Sequence, residues 1–287
     1  MSTDDQTRNP TLYGRMRDGH LAALVGDDAF AMLPVDDGTF YLARAWRLGS
    51  SIDDWTLADF SRQRTDVVTE ASFRGQVEEA AEHRRQLMKL DRHSVAARRS
   101  TPWGPSRHAV IYGEGVVAHA TASHGGFALT PERNARIHVL LRADDGFYEE
   151  DCAWAAVAQA FPELFTELER RTADRTLCDS YPDAWEAIHG HVIPPGGSRV
   201  KDRRDFDAVN AGRWIVTSAI LSSHQPGFIE CFASLGGQRH GTNSERRFLI
   251  PEDEYDIGAF GFVVDEARHR EYTGPSDFIG WAKTAQP

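Results

Sequence analysis

Residues 101–133 read TPWGPSRHAVIYGEGVVAHATASHGGFALTPER and combine a Pro/Gly turn with two strand-like stretches. The apolar patterns at 108–112 and 115–121 predict two strands joined by a tight Gly-Glu-Gly turn. The Ser-His-Gly-Gly sequence at 123–126 predicts a loop, because glycine accepts backbone conformations that interrupt a strand. A Thr-Pro pair at 130–131 predicts the start of a helix. We therefore expect this stretch to form the architectural centre of the chain.

The flanking regions differ in their hydrophobic periodicity. Short apolar runs before residue 46, separated by turns such as Asp36-Asp37-Gly38, predict a small antiparallel meander. A 3.6-residue period predicts a helix over 70–92, with Thr69 as its N-cap. Further helical patterns occur at 148–161, 162–177 and 182–188, and strand patterns return near the C-terminus. The predicted fold class is α+β, with short antiparallel strands at both ends of the chain and a helical middle section.

Domain boundaries are marked by turns and by an Ile-Pro-Pro-Gly-Gly sequence at 193–197. The predicted segments are a flexible N-terminal arm at 1–17, N-terminal strands and a helix at 18–97, a central domain with the His-Gly-Gly loop and helices at 98–192, and a C-terminal α/β segment packed on the central domain at 193–287.

The composition restricts the class of protein. The chain has 287 residues, a formal net charge of −11 and 41% hydrophobic residues, values typical of a soluble protein with a sizeable core. The negative charge argues against a protein that mainly grips phosphate backbones. Three widely spaced cysteines, a polar N-terminus and the lack of a long apolar run predict a cytoplasmic protein without a membrane span. No nucleotide-binding fingerprint occurs, and no cofactor is predicted.

A cysteine–histidine site is the first chemical hypothesis. Cys152 falls in the first turn of the predicted 148–161 helix, where the helix dipole favours a thiolate. The sequence HAVIYGEGVVAH at 108–119 resembles the strand–turn–strand of circularly permuted papain-like proteins, the NlpC/P60 and lecithin:retinol acyltransferase group. The resemblance implies a thiol hydrolase or acyl transferase with Cys152 as nucleophile, His108 as base and His119 as its orienting partner. The alternative is a structural cysteine with two ordinary strand histidines, which the acidic residues before Cys152 favour.

The His-Gly-Gly loop is the second candidate. Two glycines allow the backbone to approach a ligand closely, and successive N–H groups can form an anion-binding nest. A metal-dependent hydrolase using His119, His124 and Glu149 is a further alternative, although the spacing of the two histidines is not a standard ligand pair. Ser123 lacks the Gly-x-Ser-x-Gly turn of a nucleophilic serine.

Aromatic and basic residues near the same stretch indicate a binding surface. Trp103 follows Arg98 and Arg99, and interleaved aromatic and arginine side chains can stack on nucleobases. Tryptophan also commonly serves in a core, which is the alternative interpretation. The candidate binding residues are Trp103, Ser123, His124, Gly125, Gly126, Arg133 and Glu149.

A wider resemblance covers about 101–192. The sequences TPWGPS, GVVAHATASHGGFAL, PERNARI and DGFYEEDCAWA are similar to an uncharacterised domain family of proteins encoded on bacterial plasmids, phages and other mobile elements. The resemblance implies a bacterial accessory protein, and the genetic setting of the family suggests an action against a host defence. The leading functional prediction is therefore binding to a host protein or to a nucleic-acid-associated partner through the surface around 103–124.

Overall fold

A computed structural model of the chain describes residues 11–35, 38–60, 67–238 and 245–278. The chain folds as two units, Met1–Leu177 and Cys178–Pro287, and each is described by itself. The domain boundaries predicted after residues 97 and 192 stay predictions.

The first unit begins with a four-stranded antiparallel sheet in the order β1-β2-β3-β4. Its strands are β1 (Leu12–Arg15), β2 (Leu21–Val25), β3 (Asp28–Pro34) and β4 (Phe40–Trp46). This confirms the predicted meander, and β3 pairs with β4 along its whole length. The predicted turn at 36–38 lies between these strands, but residues 36–37 are outside the described residues, as are residues 1–10 of the predicted arm. Residues 12–15 do not belong to a flexible arm, because their backbone pairs with β2.

Helix α1 (Glu70–Lys89) covers one face of this sheet. The side chain of Thr69 accepts a hydrogen bond from the backbone N–H of Ser72, which confirms the predicted N-cap. The apolar period of four residues gives the helix a single buried stripe. That stripe consists of Phe73, Val77 and Ala81. It packs against sheet residues that include Phe30 and Leu42.

A five-stranded antiparallel sheet in the order β11-β10-β9-β8-β5 follows in the same unit. Its strands are β5 (His93–Val95), β8 (His108–Gly113), β9 (Val116–Ala120), β10 (Gly125–Leu129) and β11 (Phe147–Glu149), and a short hairpin of β6 (Ser100–Thr101) and β7 (Gly104–Pro105) lies between β5 and β8 in the chain. The two predicted strands are confirmed. The predicted loop at 123–126 is shorter than expected, since its two glycines begin β10. The Thr-Pro helix start is confirmed by α2 (Pro131–Asn134).

The helix predicted at 148–161 is wrong in its first part. Residues 147–149 alternate in character and pair with β10, so that Tyr148 lies opposite Phe127. Tyr148 is buried, and its hydroxyl donates to Asn134. Helix α3 (Trp154–Ala160) begins only at Trp154, and α4 (Glu167–Ser180) follows. Cys152 therefore precedes the helix and is not in its first turn.

The second unit contains two helices and a four-stranded antiparallel sheet in the order β12-β13-β14-β15. These elements are α5 (Pro182–His189), α6 (Arg199–Val209), β12 (Trp214–Leu221), β13 (Phe228–Leu235), β14 (Arg246–Pro251) and β15 (Arg270–Glu271). Arg247 and Glu230 form an ion pair of 2.8 Å in which both side chains are almost fully buried. Such a pair fixes the packing of β13 on β14, because loss of either partner would leave a buried charge without a counter-charge.

The fold class is α+β, with antiparallel strands at both ends and helices in the middle, as predicted. The sequence did not predict a sheet as large as the five-stranded one inside the middle section. Over the ranges that the structure describes, the helices are too short or too polar to cross a bilayer.

The stripe of α1 supplies a test of the helix-on-sheet packing. Phe73 is fully buried, so Phe73→Ala should lower the free energy of unfolding by about 3–5 kcal/mol. Met88 lies on the same helix and is 48% exposed, so Met88→Ala should change this free energy by less than about 0.5 kcal/mol. Urea denaturation followed by circular dichroism measures both. Equal effects of the two substitutions would contradict the packing.

Candidate functional site

The register of β8 and β9 places the two candidate catalytic histidines on opposite faces of the central sheet. His108 pairs with Ala120, whereas His119 pairs with Ala109. Paired residues share a face and successive residues alternate between faces. The structure therefore does not bring His108 and His119 into one site.

His119 is held in a buried hydrogen-bond chain. The Ser106 hydroxyl donates to the carbonyl oxygen of His108 at 3.0 Å, so its single proton is used there. The His119 Nδ1, at 3.0 Å from Ser106 Oγ, must therefore carry the proton and donate to that oxygen. Burial, with a smaller contribution from Arg99, lowers the pKa of His119 below its usual value. The lowered pKa favours the neutral form of the ring, and its Nδ1 is engaged with Ser106.

Cys152 and Glu149 form a tight turn between β11 and α3. The Glu149 carboxylate accepts hydrogen bonds from the backbone N–H groups of Asp151 at 2.7 Å and of Cys152 at 3.1 Å. These bonds satisfy donors that would otherwise lack partners before the helix. Glu149, a candidate ligand-binding residue, is thus engaged with the backbone.

Trp103 packs on the sheet face that carries His119. A Cβ atom on Gly126 would lie 2.5 Å from the Trp103 ring and 2.2 Å from the Tyr148 carbonyl oxygen, so only glycine fits there. The Trp103 ring also meets Phe147 edge-on, with centroids 5.8 Å apart. Gly126 therefore serves the close packing of an indole on the sheet.

The other predicted binding residues lie apart from one another. Ser123 and His124 are exposed in the β9–β10 turn, where the backbone N–H and carbonyl of His124 both bond the Thr121 hydroxyl. Arg133 lies beside the β8–β9 turn instead and donates to the carbonyl of Glu114 at 2.8 Å. The structure thus places these three predicted binding residues at two different turns of the sheet.

A cavity of about 350 Å³ opens on the face of the sheet that carries His108. We call it the sheet cavity. The residues that border it are His108, Val110, Tyr112, Ala118, His119, Ala120, Gly126, Phe127, Glu150, Trp154, Phe165 and Glu169. His119 belongs to its floor as part of β9, but its ring is engaged with Ser106. Cys152 is not among the residues that border this cavity.

Four aromatic rings form the wall of the sheet cavity. Tyr112 and Phe127 meet edge-on with centroids 4.9 Å apart. Phe165 lies 5.3 Å from Tyr112 and 6.3 Å from Trp154, again measured between ring centroids. Such contacts fix ring orientations, because aromatic quadrupoles favour edge-on and offset arrangements. These ring–ring contacts therefore hold the aromatic side chains of the wall against one another.

An internal ion pair closes one end of this wall. Arg92 donates to both carboxylate oxygens of Glu169, at 2.8 and 2.7 Å, and its guanidinium carbon lies 3.9 Å from the Tyr112 ring centroid. Burial alone would raise the pKa of Glu169, but hydrogen bonds from Arg92 and from the Thr166 backbone hold it below its usual range. Glu169 is therefore an anion whose charge is already compensated.

Glu150 and His108 lie at the mouth of the sheet cavity. The Glu150 carboxylate lies over Gly125, where a Cβ atom would be 2.5 Å from one of its oxygens. Gly125 and His108 both pair with Ala120, so two strand spacings, about 10 Å, separate their backbones. Small residues thus form a floor between a carboxylate and an imidazole. Among the described residues, the Glu150 carboxylate has no ion-pair or hydrogen-bond partner.

A metal centre finds no support in the arrangement of ligands. Within the described ranges, no three His, Cys, Asp or Glu side chains converge in a way that suits a metal ion. Glu149, one member of the predicted set with His119 and His124, is used by the backbone.

Sequence reasoning missed Tyr112, Glu150, Trp154 and Phe165 as cavity residues. Tyr112 had a readable signal, because it lies at i+4 from His108 on the same strand and so shares its face. Glu150 and Trp154 had none, since their direction depends on the start of α3 after β11.

The buried, neutral state of His119 predicts a pH dependence of stability. A lowered pKa in the folded state means that the unfolded chain binds the extra proton first. The stabilising contribution should therefore be complete above about pH 6.5 and decrease as the pH falls below that value. His119→Asn should remove this part of the pH dependence, measured by urea denaturation between pH 5 and 8. His124→Asn, an exposed control, should retain it; an identical loss in both variants would contradict the assignment.

Comparison with known families gives one match. Residues 96–211 match the family model described as a domain of unknown function (DUF7007). The match includes β6 to β11 and continues through α6, so it contains all the residues that border the sheet cavity. No curated protein and no solved structure matches the chain. Over 96–211 the chain is thus similar to an uncharacterised domain family, as the sequence predicted.

Proposed function

We propose that this protein binds a partner protein by receiving one of its basic side chains, arginine or lysine, in the sheet cavity. The observation that carries the proposal is the unpaired carboxylate of Glu150 at the mouth of an aromatic-lined cavity. A cation there gains both an ion pair and contacts with aromatic π-faces.

The aromatic wall already carries a guanidinium of the chain itself. Arg92 stacks on Tyr112 and lies 5.3 Å from the Phe165 ring centroid, with Glu169 as its carboxylate partner. A guanidinium entering from outside would find comparable elements at the same cavity, namely the Trp154 ring, which contacts Phe165, and the Glu150 carboxylate. The internal pair thus supports the choice of a basic side chain as the occupant.

The charge of the chain supports a basic protein partner over a nucleic acid. A formal net charge of −11 repels phosphate backbones and attracts basic surfaces over distances of about one Debye length. Within the cavity, Glu169 is compensated by Arg92, and the Glu150 carboxylate adds a negative charge.

The biological setting that we propose is the cytoplasm of a bacterium that carries a mobile genetic element. There the chain would act as an accessory protein on a host protein, including one of a defence system. The support for this setting is the resemblance of 101–192 to plasmid- and phage-encoded proteins.

The proposal predicts selective binding of a charged probe. N-acetyl-arginine amide should bind the full chain saturably, while the neutral isostere N-acetyl-citrulline amide should bind about tenfold more weakly, because it lacks the charge that pairs with Glu150. Changes in tryptophan fluorescence and isothermal titration calorimetry measure both affinities.

Glu150→Gln should weaken binding of the arginine probe about tenfold, and Trp154→Leu should do so severalfold. Glu163→Gln is a matched control, because Glu163 is exposed and does not border the cavity. Circular dichroism verifies that each variant is folded. Equal affinities for the arginine and citrulline probes, or equal binding by Glu150→Gln and Glu163→Gln, would remove the proposal.

A further inference from the structure

A second cavity, of about 340 Å³, lies in the first unit between the β1–β4 sheet and α1. We call it the arginine cleft, because Arg44 of β4 and Arg84 of α1 both border it. Asp28, Gln76, Glu79 and His83 also border it. It shares no residue with the sheet cavity.

Arg84 is fixed in position, but the described residues offer its Nε atom no acceptor. Its guanidinium lies directly on Gly26, where a Cβ atom would be 2.1 Å from the Arg84 Cζ. The Nε atom is buried without a hydrogen-bond partner, and the described residues provide no carboxylate for this side chain. An unmet charged donor is costly in a folded protein, and such groups commonly mark the place of an ion or of water.

Arg44 provides a second guanidinium at the same cleft. It pairs across the strands with Phe30, and its Cζ lies 5.4 Å from the Phe30 ring centroid. Among the described residues it also has no ion-pair partner. Because β4 and α1 are packed elements, the two guanidiniums are presented by a rigid frame.

The acidic groups of the cleft do not neutralise these two arginines. Arg171 donates a hydrogen bond to the Glu79 carboxylate and forms an ion pair with it. Asp28 forms no ion pair with either arginine. The His83 Nδ1 lies 2.8 Å from the Thr166 hydroxyl, so this edge of the imidazole already has a polar partner. With Glu79 compensated, two cations face a single carboxylate, and the balance is positive.

We propose that the arginine cleft binds an oxyanion, in particular a phosphate group. Planar guanidiniums form paired hydrogen bonds with phosphate and carboxylate oxygens, and a bound oxyanion would supply the acceptors that both side chains lack. The cleft is independent of the proposed basic-side-chain site. Together the two cavities give the first unit one site for a cation and one for an anion.

Titration with inorganic phosphate at constant ionic strength tests this proposal. The full chain should bind phosphate saturably, with amide NMR shifts centred on 26–28, 44 and 76–87. Arg84→Gln and Arg44→Gln should each weaken binding at least tenfold. Arg107→Gln removes the same charge from an exposed position that does not border the cleft, so it should bind like the unchanged chain. A parallel titration with acetate distinguishes a phosphate site from a general carboxylate site.

Two variants keep the test decisive if one of them fails to fold. Binding that is lost in a folded Arg84→Gln or Arg44→Gln chain and kept in Arg107→Gln supports the cleft. No saturable binding of either anion, equal affinities in all variants, or shifts centred elsewhere would overturn it. Glu150→Gln should leave phosphate binding unchanged, so failure at one cavity does not affect the test of the other.

Discussion

Backbone hydrogen bonds between β8 and β9 set the chemistry of the first unit. They pair His108 with Ala120 and Ala109 with His119, and thereby assign each histidine to its own face of the sheet. A shift of one residue would exchange the two faces entirely. On one face the register buries His119 under the hairpin that carries Trp103. On the other it leaves His108 beside small residues at the mouth of a cavity.

Small residues allow side chains from other elements to lie directly on both faces of the sheet. Gly126 lets the Trp103 ring lie on the sheet, and Gly125 lets the Glu150 carboxylate lie over the opposite face. A larger residue at either position would push these groups away from the strands. The two consecutive glycines are therefore explained by packing, because neighbouring positions of one strand lie on opposite faces and each face has a bulky group lying on it. A histidine beside them, His124, is incidental to both contacts.

Local patterns were sufficient to predict the strands, the Thr69 cap, the Thr-Pro helix start and the α+β class. They failed at β11, where Phe147-Tyr148-Glu149 reads equally well as the first turn of a helix. The deciding interaction is non-local, because β10 offers a free edge to these residues. Which candidate site residues share a face of the sheet could not be predicted for a related reason. Which residues of two strands share a face follows only once the register is known, and β8 contains an irregularity between Ile111 and Gly113 that the sequence does not reveal.

The two cavities differ in how their charges are balanced, and this difference follows from what surrounds them. In the sheet cavity, Arg92 is paired with Glu169, which leaves the Glu150 carboxylate without an ion-pair partner among the described residues. In the arginine cleft, Glu79 is paired with Arg171, which leaves Arg44 and Arg84 without an ion-pair partner among the described residues. In each case an ion pair within the chain compensates one charged group and leaves an excess of the opposite sign at the cavity. Exposed ion pairs contribute little to the free energy of unfolding, generally less than about 1 kcal/mol. A pair such as Glu79–Arg171 therefore matters more for its effect on the electrostatic potential at the neighbouring cavity.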